Sequence, residues 1–116
     1  MTAAQEWLKA HGCPDHVVRL GVEGCVHSWE LTGRQLAEGW SLGLESYLND
    51  LDGRQLLFEM EHAGLLDEHE LKRVHLADHS VQASTNESDK CVWGEETATV
   101  KGWTSQQNWW YWRELS

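Results

Sequence analysis

The sequence predicts an α+β fold, with N-terminal and central helices packed on a small C-terminal antiparallel β-sheet. Three observations carry this. Leu44, Tyr47, Leu48 and Leu51 recur at i, i+3, i+4 and i+7, one stripe of an amphipathic helix. Thr2 with Gln5, Asp52 with Gln55 and Asp67 with Glu70 have the spacing of helix capping boxes. After residue 90 the pattern changes, and the strand formers Cys91-Val92-Trp93 and Trp109-Trp110-Tyr111-Trp112 appear.

In chain order, Thr2 opens a first helix that carries Trp7 and Leu8 inward and stops at Gly12. Pro14 to Leu20 suits a second, short helix. Between Gly21 and Gly39 the pattern is undecided: Val22, Cys25, Val26 and Trp29 fit a helical face, whereas Gly21, Gly24 and Gly33 weaken one. The Leu44–Leu51 stripe follows. Asp52 is expected to cap a further helix bearing Leu56, Leu57, Met60 and Ala63, closed by Gly64. Asp67 caps the next, with Leu71, Val74 and Val81 on one side, ending at Ala83. Ser84 to Asp89 is polar and reads as a surface loop. Thr97, Thr99 and Val100 can form another strand between Gly94 and Trp109.

At 116 residues the chain has the length of one domain, 1–116. No apolar run approaches the ~18 residues of a membrane span. The start lacks the basic and apolar regions of a secretion signal, so a cytoplasmic address is expected. Three scattered cysteines, Cys13, Cys25 and Cys91, read as small buried side chains; a Cys13–Cys25 disulfide is disfavoured in that compartment.

The net charge is −10, from 19 acids and 9 bases. Nucleic acid and anionic membranes both require a positive surface, so neither is an expected partner. Seven acids (Asp50, Asp52, Glu59, Glu61, Asp67, Glu68 and Glu70) against the single base Arg54 fall within residues 50–70. Asp52, Asp67 and Glu70 have expected local roles at helix N-termini; Glu59 and Glu61 do not. Such a run is either a solvated helix face or an electrostatic dock for a basic protein. Arg54, alone among acids, suits a buried or bidentate salt bridge, to Asp50 or to an acid elsewhere.

Eight tryptophans are several times ordinary usage, and five of them crowd the last 24 residues. Trp7, Trp29 and Trp40 lie within helical patterns and are expected in the core. On a strand, Trp110 and Trp112 share one face and Trp109 and Tyr111 the other. The face turned outward is covered by the loop bearing Trp103 or offers an aromatic anchor, the residue type that dominates interface hot spots. Trp103, Trp110 and Trp112 join the seven acids as candidate partner-binding residues.

Catalytic residues are not indicated, since no nucleophile elbow, phosphate loop or calcium loop is present. No cofactor is implied. His75 and His79 stand at i, i+4 beside Asp78, a spacing able to chelate zinc, but no third ligand lies in register. A small metal-dependent protein is the reading that trio would support.

The stretch Leu44-Glu-Ser-Tyr-Leu-Asn-Asp-Leu-Asp-Gly-Arg-Gln-Leu-Leu57, with Cys91-Val-Trp-Gly-Glu-Glu96, Gly102-Trp-Thr and Asn108-Trp-Trp-Tyr111, resembles small acidic bacterial proteins that are immunity partners of toxins. The resemblance covers about the last two-thirds of the chain. It implies an inhibitor that binds a basic cognate toxin, a nuclease in the expected case, and occludes its active site. A phage-encoded DNA mimic acting on a host defence complex would use the same physics.

Overall fold

The computed structural model describes residues 1–116. Helix α1 (Ala3–Ala10) begins at the expected capping box: Gln5 N–H donates to Thr2 Oγ1 at 3.1 Å, and Thr2 N–H to Gln5 Oε1 at 2.9 Å. Gly12 turns the chain away at φ +77°.

The undecided stretch belongs to one long helix, α2 (Asp15–Glu38), which includes the expected short helix and kinks at Gly21. Gly21 has φ +64° and ψ −152°, a conformation open essentially to glycine alone. The kink folds Leu20 over Gly24, where a Cβ would stand 2.4 Å from the Leu20 Cβ. Glycines that weaken a straight helix are therefore what permits this bent one. Farther along, a Cβ on Gly33 would lie 3.2 Å from the Ser80 Cβ and 3.4 Å from the Ala77 carbonyl oxygen. Gly33 thus lets the two helices approach closely.

Helix α3 (Leu44–His62) corrects the expectation of two helices separated by a cap at Asp52. Gly53 stays helical, because Leu51, Arg54 and Leu57 on both sides of it are buried against neighbouring elements, and packing overrides one residue's propensity. Helix α4 (Glu68–Ala83) starts at the expected Asp67–Glu70 capping box, with bonds of 2.7 and 2.8 Å, and ends where expected.

The sheet is real but smaller and elsewhere. Its two strands, β1 (Thr85–Glu87) and β2 (Arg113–Leu115), pair antiparallel with Asn86 opposite Glu114. β1 lies in the stretch expected to be a loop. The three segments expected as strands are not strands: Cys91–Trp93 is a turn, Glu95–Lys101 is helix α5, and Trp109–Trp112 is a 3-10 turn. A strand would send Trp110 and Tyr111 to opposite faces. The 3-10 turn buries both, each 1% exposed, so tertiary packing decides against strand propensity.

The main core joins α2, α3 and α4 to the C-terminal aromatics through Val26, Trp29, Leu51, Val74, Val81 and Trp110. A smaller cluster of Leu8, Val18 and Met60 seats α1. Of the expected core tryptophans, Trp29 is fully enclosed, while Trp7 and Trp40 are half-buried. Trp29 Nε1–H donates to Asp78 Oδ1 at 2.8 Å, and Arg54 donates to the same carboxylate through Nε at 2.8 Å and Nη2 at 3.0 Å. The Arg54 guanidinium carbon sits 4.3 Å from the Trp110 ring centroid. At the surface, Arg73 of α4 clamps Glu23 and Glu30 of α2. No helix is long and apolar enough to cross a membrane.

Candidate protein-interaction surface

Helix α3 runs between α2 and the C-terminal segment, and its acids divide accordingly. Residues two apart on a helix point about 200° apart. Asp50 therefore meets α2, where its Oδ2 lies 2.9 Å from Thr32 Oγ1. Burial raises the Asp50 pKa, and the Thr32 hydrogen bond partly opposes that rise. Asp52 meets the aromatic segment: its Oδ1 accepts Tyr111 O–H at 2.7 Å and Trp93 Nε1–H at 3.1 Å. It is not a helix cap, contrary to the expectation.

Asp52, Gln55 and Glu59 at i, i+3 and i+7 continue as one stripe. Gln55 Oε1 accepts from Asn108 Nδ2 at 2.9 Å, which ties α3 to the loop after α5. The Trp103 ring stacks on Tyr111 with centroids 4.1 Å apart and planes 21° apart. Phe58 and Glu59 of α3 and Lys101, Trp103 and Asn108 of the C-terminal segment then border an open cleft of about 330 Å³. Trp93 is 40% exposed beside Asp52. Burial raises the Tyr111 pKa far above the usual phenol range, and its bond to Asp52 and the Asp52 and Glu59 charges add to that. A phenol held neutral can only donate to Asp52.

This surface brings together Asp52, Glu59 and Trp103 of the candidate residues, with Phe58, Trp93 and Tyr111 around them. The others lie elsewhere. Asp67 and Glu70 are engaged in capping α4, and Glu68 is exposed in its first turn. Glu61 is half-buried on another side of α3 from Glu59. Trp110 is in the core and is corrected as an anchor, because a ring 1% exposed offers nothing to a partner. Trp112 is half-buried and lines a separate cleft. The ion pairs of the molecule join Arg54 to Asp78 and Arg73 to Glu23 and Glu30, so none of the seven candidate acids is in direct contact with a base, although Lys101 shares the cleft with Glu59.

The sequence reading missed Trp93 and Phe58. Their signal was available only as register: Phe58 sits one residue before Glu59, and Trp93 precedes the glycine that starts α5.

The trio His75, Asp78 and His79 does not converge on a metal. Asp78 turns into the core and gives its carboxylate to Arg54 and Trp29, while both histidines are exposed. No three His, Cys, Asp or Glu side chains are grouped so as to hold an ion. All three cysteines are free thiols, with Cys91 buried and the other two half-buried. Burial pushes the Cys25 thiol up to about 11, with the neighbouring Cys13 adding to the rise, so the thiol stays protonated at neutral pH.

Comparison of the chain with protein-family models, with curated proteins and with solved structures finds no match.

Proposed function

We propose that the protein is an inhibitor of the immunity type, which binds a basic toxin, a nuclease in the simplest case, and blocks its active site. One observation carries the reading: Glu59, which no base pairs, lines an open cleft with Phe58, Trp103 and the one base Lys101, and Asp52 lies two turns away on the same stripe of α3 beside the exposed Trp93. Like charge left unpaired in the free protein raises its own energy, and a basic partner relieves that repulsion. The carboxylates steer a cationic surface inward, and the aromatic rings supply the desolvated contact that holds it. A nuclease cleft shaped for phosphates has the complementary charge. The inhibitor needs only to fill it.

The test starts by capturing the partner on immobilised protein from the source organism's lysate at low salt and then at high salt. The expected result is one basic protein held stoichiometrically, whose nuclease activity falls as inhibitor is added. Glu59→Lys is expected to slow its association by about tenfold at low salt, and the difference should shrink as salt screens the charges. Glu61→Lys, on another side of α3, should do less. If Glu59→Lys leaves association unchanged, or if the captured protein keeps its activity when saturated, the reading is wrong. Retention of a multi-subunit nucleic-acid-binding complex would point instead to a DNA mimic.

A further inference from the structure

The loop that carries Trp103 borders a second cleft as well. Trp103, Gln107 and Asn108 face the first, whereas Ser105, Gln106 and Trp109 line the second, an open space of about 700 Å³. Its walls include the half-buried rings of Trp109 and Trp112, each packed against the core. Glu87, at the end of β1, and Asp89 also line it, and neither makes an ion pair. The one base in the lining is Arg113. Its guanidinium is already committed: Nε donates to Thr85 Oγ1 at 3.1 Å, and Nη2 to the carbonyls of Gln82 at 2.7 Å and Thr85 at 2.9 Å. Two carboxylates against one guanidinium leave the cleft with a single negative charge, which one incoming cation balances.

We propose that this second cleft receives the guanidinium of an arginine side chain presented by a partner protein. Indole faces attract a cation through the ring quadrupole, most strongly on tryptophan. A planar guanidinium stacks on such a face and still offers donors at its edge to a carboxylate, and an ammonium does not combine the two. Indole walls with carboxylates beside them match that pair of needs. The proposal deepens the inhibitor reading by naming a group on the partner, and its test needs no partner.

The probe is N-acetyl-arginine amide, followed through the indole N–H signals of the eight tryptophans in a nitrogen-15 correlation spectrum. Trp109→Phe and Trp112→Phe assign the two signals of interest. The arginine probe is expected to shift both along a saturating curve. N-acetyl-citrulline amide, which has the same shape without the charge, should bind about tenfold more weakly, and N-acetyl-lysine amide should also be weaker. Glu87→Gln with Asp89→Asn alters only exposed groups, so the fold persists and arginine binding should fall about fivefold. Glu59→Lys should leave it unchanged. The proposal is overturned if neither signal moves by about 50 mM probe, if citrulline or lysine binds as well, or if the double variant binds undiminished. Failure of the inhibitor reading would show in the capture and kinetic experiment, so the two are separable.

Discussion

Arg54 and Asp78 form a two-pronged ion pair, 4% and 8% exposed, at the point where α2, α3, α4 and the C-terminal aromatic segment meet. Trp29 donates to the same carboxylate, and Trp110 lies against the guanidinium. One charge pair therefore fixes the mutual positions of four parts of the chain. It also presents Tyr111, the neighbour of Trp110, to Asp52.

Breaking this pair leaves a buried charge uncompensated. Arg54→Met and Asp78→Ala are each expected to lose about 3–5 kcal/mol in urea unfolding. Arg54→Met combined with Asp78→Leu, which removes both charges, should recover a large part of that loss. Equal stability of the single variants and the parent would show that the pair does not organise the core.

The bend of α2 depends on two glycines. Gly21→Ala forces a side chain into a backbone conformation that costs about 1–3 kcal/mol. Gly24→Ala must displace the Leu20 Cβ and should also destabilise. Thermal unfolding checks both, and Gly53→Ala is the control. Gly53 is helical with open space around its Cβ, so that substitution is expected to stabilise by up to about 1 kcal/mol.

Both tyrosines should resist ionisation. Burial lifts Tyr47 to about 12, and Tyr111 is lifted by burial and by its bond to Asp52. An unfolded tyrosine ionises near 10. A folded pKa above the unfolded one gives stability that is complete below pH ~10 and is lost as pH rises toward the folded value. Absorbance at 295 nm is therefore expected to stay flat through the usual phenol range and then rise together with alkaline unfolding. A separate phenolate step near pH 10 in the folded protein would contradict the burial of one of them.

Asp50 should mark the α2–α3 contact by its pH dependence. Its folded pKa is raised chiefly by burial, so its contribution is favourable below the unfolded pKa of about 3.9 and is lost as pH climbs through the folded value. Asp50→Asn is expected to stabilise at pH 7, by no more than about 1 kcal/mol because solvent reaches the half-buried side chain. The gain should disappear near pH 3. Paired thermal melts across that range measure it.

Much of the helical body is legible along the chain, because capping and amphipathic periodicity are local. Thr2 with Gln5 and Asp67 with Glu70 start α1 and α4 as their spacing requires, and Gly12 and Ala83 mark the helix ends. Net charge, the concentration of acids between Asp50 and Glu70 and the clustering of tryptophans are likewise properties of the sequence itself. Three things depended on contacts between distant residues. Whether Gly21 breaks or bends α2 was set by packing. Whether Asp52 caps a helix or lies within one was set by the neighbours of Leu51, Arg54 and Leu57. Whether Trp110 and Tyr111 alternate or bury together was set by the space above α3. The candidate surface belongs to this second group: Asp52 finds Tyr111 across 59 positions of chain, and Gln55 finds Asn108 across 53, pairings that no local spacing encodes.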